Sequence, residues 1–353
     1  MKLMKQFSAL RRRLLPPSRS ALDRKTTALE EKICNAEKKI ENLHCLHRDM
    51  EAKLLIASTE YLLDNSNEAK QLPNSDALPM FNPSFVEDGE EGYLFCVRRS
   101  TLLTRLDGQY SYKYGCAHNT RNVLQYTDAH FEVWKQAELD DSLLRQACDN
   151  AKNGIEDIRL FRWKGALFGL GTGVTEHSGD LQVTQILMRI EQDAVVEFWC
   201  FPSPLDSRWE KNWVPLIHDD RLFIVYSIRP LIIYEFEGGS LSLATRSLPA
   251  QANFHVRGGT SFVPVGNNYV ALAHLSPVKI SGKSYYQHVF VALDAALDLI
   301  EVSEPFFIQR KGIEFACGLS FSKGNFFISY GVGDRSARIC RVSLQQSQRY
   351  LAS

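Results

Sequence analysis

The chain has 353 residues with 41 basic and 41 acidic side chains, a formal net charge of zero. That balance excludes the simplest nucleic-acid reading, which needs a basic surplus to displace counterions from phosphates. A hydrophobic share of 44% and a charged share of 23% exclude a disordered or low-complexity chain, and no run of 18 apolar residues is present to span a bilayer.

Residues 1–20 form a basic tail, with Lys2, Lys5, Arg11, Arg12, Arg13 and Arg19 and no acid, which leaves 35 basic against 41 acidic side chains beyond it. Leu3, Met4, Phe7, Leu10, Leu14 and Leu15 lie among those charges. The tail therefore reads either as a solvated segment or as an amphipathic start suited to peripheral contact with an anionic membrane. It has neither the apolar stretch nor the cleavage site of a secretory signal, so the expected location is cytoplasmic.

Residues 21–64 read as a helical coiled-coil segment. The apolar positions step by four and three through Leu22, Thr26, Leu29, Ile33, Ala36, Ile40, Leu43, His47, Met50, Leu54, Ala57 and Tyr61, with no Pro or Gly among them. A period of 3.5 held over five heptads favours pairing with other helices and predicts a homo-oligomer. The alternative is an amphipathic helix lying on the domain that follows. His47, at a seam position, reads as a register-setting polar residue.

Residues 65–77 are polar and read as a linker, and from 78 to 349 the character changes. Short apolar and aromatic runs broken by Gly, Asn, Asp, Pro and Ser predict an all-β domain. One pattern recurs at 82–98, 156–172, 211–227, 258–276 and 317–334: a polar lead, a short run, a turn, then a strongly apolar strand. The apolar strands start near Tyr93, Ala166, Leu222, Tyr269 and Phe326, at intervals of 73, 56, 47 and 57 residues. Five hairpins at this spacing predict a five-bladed β-propeller, with each blade adding outer strands between hairpins. A β-sandwich with long insertions is the alternative, and it leaves the repeat unexplained.

A propeller converges its innermost strands on a central channel, so the leads would face one shared pocket. Asn82, Ser84, Glu156, Asp157, Arg159, Lys211, Asn212, Arg257, Thr260 and Glu314 occupy the leads. Arg98, Tyr226, His274 and Asp334 end the apolar strands, and Tyr286 and His288 follow the fourth. Buried polar groups of this kind must be paired or serve a purpose. Ion pairing along the channel is the structural alternative to a site.

The eight cysteines are scattered without a CxxC, so they read as reduced, buried, small hydrophobes, and no metal site is signalled. No GxSxG, P-loop, HExxH or GxGxxG after a strand occurs, and GLGTGV (169–174) reads as a turn.

Taken in order, NPS (82–84), EDIR (156–159), EKNW (210–213), RGGT (257–260) with a strand ending at His274, YQHVF (286–290) and GVGD (331–334) resemble the five-bladed propellers of glycoside hydrolase family 130. That family includes mannoside phosphorylases. The resemblance covers about residues 78–345. It implies that Asp157 is the catalytic acid acting on the glycosidic oxygen, often through a sugar hydroxyl. It also implies that Lys211 and His274, with Arg159, contact phosphate, and that Asn82, Ser84, Arg98 and Asp334 hold the sugar. Asn212, Arg257, Tyr286, His288 and Glu314 complete the candidate substrate-binding set. Two departures stand out: Ile158 replaces the proline of EDPR, and Arg229-Pro230 sits where small polar residues are usual.

The residues themselves agree with that chemistry. Cleaving a glycosidic bond needs an acid for the leaving oxygen and a nucleophile on the opposite face. Hydrolysis with inversion needs a second carboxylate, for which Glu314 and Asp334 are candidates. Phosphorolysis instead needs cations to hold the anion, and Arg159, Lys211, Arg257 and His274 supply them. The expected function is a carbohydrate-active enzyme, foremost an inverting phosphorylase-like one, with inorganic phosphate or a sugar phosphate as co-substrate and no cofactor. A non-catalytic glycan-binding propeller and a glycosyltransferase-like role in polysaccharide synthesis are the alternatives. The tryptophans read first as blade core, with Trp213, beside Lys211 and Asn212, the leading candidate for a sugar-stacking exception.

Overall fold

The computed structural model describes residues 19–64, 68–74, 77–89, 92–104, 110–112, 119–177, 180–205, 210–247, 256–275, 278–280 and 283–350. The basic tail over residues 1–18, Cys116, His118, Trp209 and His255 lie outside the described residues, as do the side chains of Arg19, Leu22, Leu29 and His177. The chain divides into two compact units, residues 1–57 and 58–353.

The described part of the first unit is a helix that spans Arg19–Ser58 and is 40 residues long. Its uninterrupted length follows from the absence of Pro and Gly and from its many Ala, Leu, Glu and Lys residues. Ile33, Ile40, Leu43, Met50 and Leu54 of the 3.5-period seam are all at least half exposed. The helix ends six residues before the expected boundary. Tyr61, expected on the seam, lies in the strand Glu60–Tyr61, where the backbone of Leu62 and Leu63 bonds to Phe307 and Ile308. No helix among the described residues is long and apolar enough to cross a membrane.

The second unit is built of sheets in a propeller-like arrangement. Sheet 1 holds Met80–Glu87, Gly92–Ser100, Thr120–Asp128 and Val133–Glu138, in that order. Sheet 2 holds Ile155–Trp163, Ala166–His177, Asp180–Glu191 and Ala194–Phe201. Sheet 3 holds Val214–His218, Arg221–Ile228, Leu231–Glu237 and Ser240–Arg246.

The next sheet, sheet 4, has seven strands. It runs from Val256–Gly258 through Asn268–Leu275 and His288–Leu293 to Phe306–Phe307, with Glu60–Tyr61 at its far edge. Sheet 5 holds Glu314–Ser322, Asn325–Val332, Ser336–Ser343 and, outermost, Ala69–Gln71. Four of these sheets thus have four strands, the last completed by a strand from the start of the domain, and the fourth predicted hairpin lies in the seven-stranded sheet.

The apolar strands begin at Gly92, Ala166, Arg221, Asn268 and Asn325, each within one residue of the sequence expectation. Paired positive φ values at Lys164–Gly165, Asp219–Asp220 and Lys323–Gly324 give the turns the twist that hairpins prefer. The strands of sheet 3 show how the core is distributed. Leu222 and Ile224 pack toward sheet 2, while Phe223 and Val225 pack toward sheet 4. Alternate residues therefore enter separate cores, because a strand between two sheets is buried on both faces.

The same relation links each sheet to the next. Leu72, Met80, Phe85, Phe95, Ala337 and Ile339 join the last sheet to the first. Ala69–Gln71, expected in a linker, pairs antiparallel with Arg338–Cys340 and so ties the start of the domain to its end.

Cys96, Cys148, Cys317 and Cys340 are buried as expected, but Cys34, Cys45 and Cys200 are exposed. Cys148 and Cys200 face each other with Sγ atoms 2.8 Å apart, a juxtaposition their sequence spacing does not reveal.

Candidate active site

Register slips interrupt the lead strands between Phe81 and Ser84 in sheet 1, and opposite Glu156–Arg159 in sheet 2. Asn82 and Asp157 sit at these bulges with φ of 49° and 50°. Asn and Asp tolerate this left-handed region better than other residues with a Cβ, and a bulge re-aims a side chain out of the strand's alternation. The NPS and EDIR motifs thereby bring two distant side chains together: Asn82 Nδ2 donates to Asp157 Oδ1 at 2.9 Å. The neighbouring strand must be glycine at 331, where a Cβ would lie 2.0 Å from Asn82 Oδ1.

A chain of charges extends from this contact. Arg98 donates to Asp157 at 3.1 Å and to Glu156 at 2.5 Å, and Lys211 donates to the other Glu156 oxygen at 2.8 Å. The side chains of Arg98, Glu156 and Asp157 are all under a tenth exposed, whereas Lys211 is 28% exposed.

Burial works against ionising Asp157, but Arg98, aided by Lys211 and Arg159, outweighs burial and the nearby Glu156, so its carboxyl is held below the usual range. Burial likewise opposes the charge on Lys211, and Glu156 and Asp157 overcome it, raising the ammonium pKa. Arg98 is raised in the same way against burial, by Glu156, then Asp157, with Asp334 adding to the field. Asp334 is half-buried with φ 51°.

Arg159 is fully enclosed. It donates to the carbonyls of Asp157 and Gly259 at 2.8 and 2.9 Å, to Asn212 Oδ1 at 3.2 Å, and lies 5.5 Å from the Phe315 ring centre. It therefore cross-links the lead segments and does not present its cation to solvent, contrary to the expectation of a direct phosphate contact. Gly258 admits this packing, since a Cβ there would meet the Asn212 carbonyl oxygen at 2.3 Å.

Ser84, expected at the sugar, is also committed. Its hydroxyl donates to the Ile158 carbonyl at 2.5 Å and accepts from the Leu160 N–H at 3.1 Å, clamping the strand that carries Asp157. Ile158 itself packs into the core between sheets 1 and 2, with Ile155, Leu160 and Ile186.

Lys211, Asn212, Tyr226, Arg257 and Glu210 line a cavity of about 190 Å³. Arg257 is exposed there, and among the described residues no carboxylate pairs with it. Glu210 is buried, accepts from Trp213 Nε1 at 3.0 Å and Tyr226 Oη at 3.1 Å, and also bonds Ser203. Trp213 is 1% exposed and stacks on Phe201, so it is a core tryptophan that anchors Glu210 and not a stacking exception. Tyr226 is the half-buried aromatic at this cavity.

His274 and His288 pair across adjacent strands and are both buried. Burial, then His288, Arg257 and Arg159, push His274 well below the ordinary imidazole value, so it is neutral. Burial drives His288 to about 3. Its Nε2 accepts the Ala316 N–H at 3.2 Å, which puts its proton on Nδ1. Tyr286 is half-buried with its ring centre 5.8 Å from that of His274.

Glu314 stands apart from this cluster. Its two carboxylate oxygens accept the backbone N–H groups of Ile308, Gln309 and Arg310, so it clips a loop and is not free to activate water. Burial raises its pKa to about 7 against those three hydrogen bonds.

The structure thus joins the buried Asn82, Arg98 and Asp157 through Glu156 to Lys211, places Lys211, Asn212 and Arg257 at the cavity, and leaves Ser84, Arg159, His274, His288 and Glu314 enclosed away from its wall. Sequence reasoning gave no role to Glu156 and Glu210. Both stand at the head of quoted motifs, EDIR and EKNW; for Glu156 the available signal was electrostatic, since cations gathered at one centre require a buried counter-charge. Among the described residues no group of three or more His, Cys, Asp or Glu is placed to hold a metal.

No known family's sequence profile matches the chain, and no curated protein does. Solved structures match well. The β-1,2-mannobiose phosphorylase from Listeria innocua aligns with a TM-score of 0.59 at 12% identity, covering 81% of this chain and 97% of that one. A mannose phosphorylase from Leishmania mexicana, solved with a phosphate ion, gives 0.54 at 13%, covering 86% and 95%. A GDP-Man-dependent mannosyltransferase from Leishmania mexicana gives 0.53 at 13%, covering 80% and 91%. The resemblance drawn from the motifs is therefore borne out as one of fold: the β-domain shares the propeller-like fold of glycoside hydrolase family 130 mannoside phosphorylases and related glycosidases.

Proposed function

We propose that this chain is a carbohydrate-active enzyme that cleaves or forms glycosidic bonds in mannosides or related glycans, with phosphate or a sugar phosphate as the second reactant. We read the seven-stranded sheet as the fifth blade of the ring. The observation that carries the proposal is the Asp157 carboxylate, held by Arg98 and Asn82 and linked through Glu156 to Lys211, which lines a cavity with Arg257.

The ionised state of Asp157 is the one from which synthesis starts. In synthesis, the carboxylate takes the proton of an acceptor hydroxyl as its oxygen attacks the anomeric carbon. The bond from that carbon to the phosphate oxygen breaks, and phosphate leaves with its electron pair. Lys211 and Arg257 are the cations available to hold it. Phosphorolysis is the reverse: a protonated Asp157 gives its proton to the leaving oxygen while phosphate attacks from the opposite face, inverting the anomeric centre. Because the depressed pKa disfavours the protonated form, phosphorolysis requires the bound sugar to loosen the Arg98 contact.

The test is to supply mannose 1-phosphate with mannosyl acceptors, and separately β-1,2-linked manno-oligosaccharides with phosphate. Phosphate release in the first and mannose 1-phosphate in the second are expected, each falling at least about 100-fold in Asp157→Asn. A second reading, a glycan-binding module without turnover, is favoured by the way Glu156 already neutralises Arg98 and Lys211. Glycan affinity that survives Asp157→Asn, with no product across a broad glycan panel, would decide for it.

A further inference from the structure

The helix Arg19–Ser58 leaves its apolar seam in solvent, although a 40-residue helix gains most of its stability in water from burying such a face. We propose that this face is the contact surface of a parallel, in-register dimer of two copies of this chain. The charges beside the seam carry the argument. With Ile33, Ile40, His47 and Leu54 at a positions and Ala36, Leu43, Met50 and Ala57 at d, the e positions are Glu30, Glu37, His44 and Glu51. The g positions are Lys32, Lys39, Leu46 and Lys53, and the same register in the sequence puts Asp23 at e and Lys25 at g. One flank is thus acidic and the other basic.

In a parallel pair, each g residue meets the e residue of the following heptad on the other helix. Lys32 then meets Glu37, twice per dimer by symmetry. In an antiparallel pair g faces g and e faces e, which sets Lys against Lys and Glu against Glu along both flanks. The pattern therefore selects orientation by repulsion as well as attraction. Ile33 and Ile40 at a with Leu43 at d is the combination that favours two strands over three or four. His47 meets its own counterpart only when the two helices are in register. A shift of one heptad would set it against Ile40 or Leu54, leaving a polar ring on an apolar layer. Leu46, 65% exposed at a g position, extends the apolar cover on that side of the same layer.

The test uses the full chain. Light scattering on the eluting protein at micromolar concentration is expected to give twice the 40.1 kDa of one chain. Ile40→Asp with Leu43→Asp is expected to give one chain's mass with the β-domain's near-ultraviolet circular dichroism retained. Orientation is read in a Cys34→Ser, Cys45→Ser background, because both native thiols lie on exposed outer positions. Ile33→Cys and Leu54→Cys, introduced separately, are each expected to cross-link into dimers with glutathione disulfide, two thiols giving one disulfide while the oxidant is reduced. An antiparallel pair cannot bring both 33 to 33 and 54 to 54. A monomer, a larger assembly, or a dimer in which either cysteine fails to cross-link would overturn the proposal.

Discussion

Burial, a guanidinium and a neighbouring carboxylate act together on Asp157, and the guanidinium prevails. A carboxyl with a depressed folded pKa stabilises the fold above its unfolded value, near 3.8, and that stability is lost as pH falls through the lower folded value. Synthetic turnover should accordingly persist into the acid range where an ordinary carboxylate would already be protonated, and a pH–rate profile with sugar 1-phosphate reads this directly. Glu314 carries the opposite sign. Its pKa, raised from 4.5 to about 7, makes its contribution complete below 4.5 and lost as pH rises through 7. Urea unfolding between those limits should show a decline of up to roughly 3 kcal/mol that Glu314→Gln abolishes. Glu156 is the residue whose loss leaves two cations short of a partner. Glu156→Gln is expected to destabilise by about 3–5 kcal/mol, since its bond to Arg98 is almost wholly desolvated.

At the scale of elements, the bulges convert strands into a site. The lead strands of sheets 1 and 2 slip register where Asn82 and Asp157 need to meet, and sheet 5 accommodates them by having no side chain at 331. Gly331→Ala should displace Asn82, cost about 1–3 kcal/mol, and reduce turnover without touching any charged group. The Ala69–Gln71 strand and the residue after it hold the outer edge of sheet 5. Leu72, buried against Met80 and Phe95, should cost about 2–5 kcal/mol on mutation to Ala in chemical denaturation, while the half-buried Lys70→Ala should change little. These elements were unequally legible. The hairpins were, because runs such as YLFCV and LFIVY punctuated by turn residues declare themselves locally. The Ala69–Gln71 strand was not, because three polar-leaning residues form a strand only where the far end of the chain offers them an edge.

Across the whole molecule, neutrality divides into unlike parts: a basic tail, a helix with one acidic and one basic flank, and a β-domain in which Arg98 and Lys211 are matched by Glu156 and Asp157. That matching changes the meaning of the charges named from sequence. Arg159 and His274 looked like groups awaiting an anion, yet the first ties three lead segments together and the second is buried and neutral. Of the four cations named for an anion, Lys211 and Arg257 line the cavity.

The sequence by itself determined the helix, the five hairpins, the fold they resemble and the residues from which a site is drawn. Periodicity, turn chemistry and short motifs are all properties of neighbouring residues. Tertiary structure alone decided which carboxylates face which cations, which candidates are enclosed, and how the end of the β-domain is joined to its beginning. Those outcomes depend on distance and burial between residues far apart in the chain, where a few ångströms separate a cation at a cavity wall from one locked inside the fold.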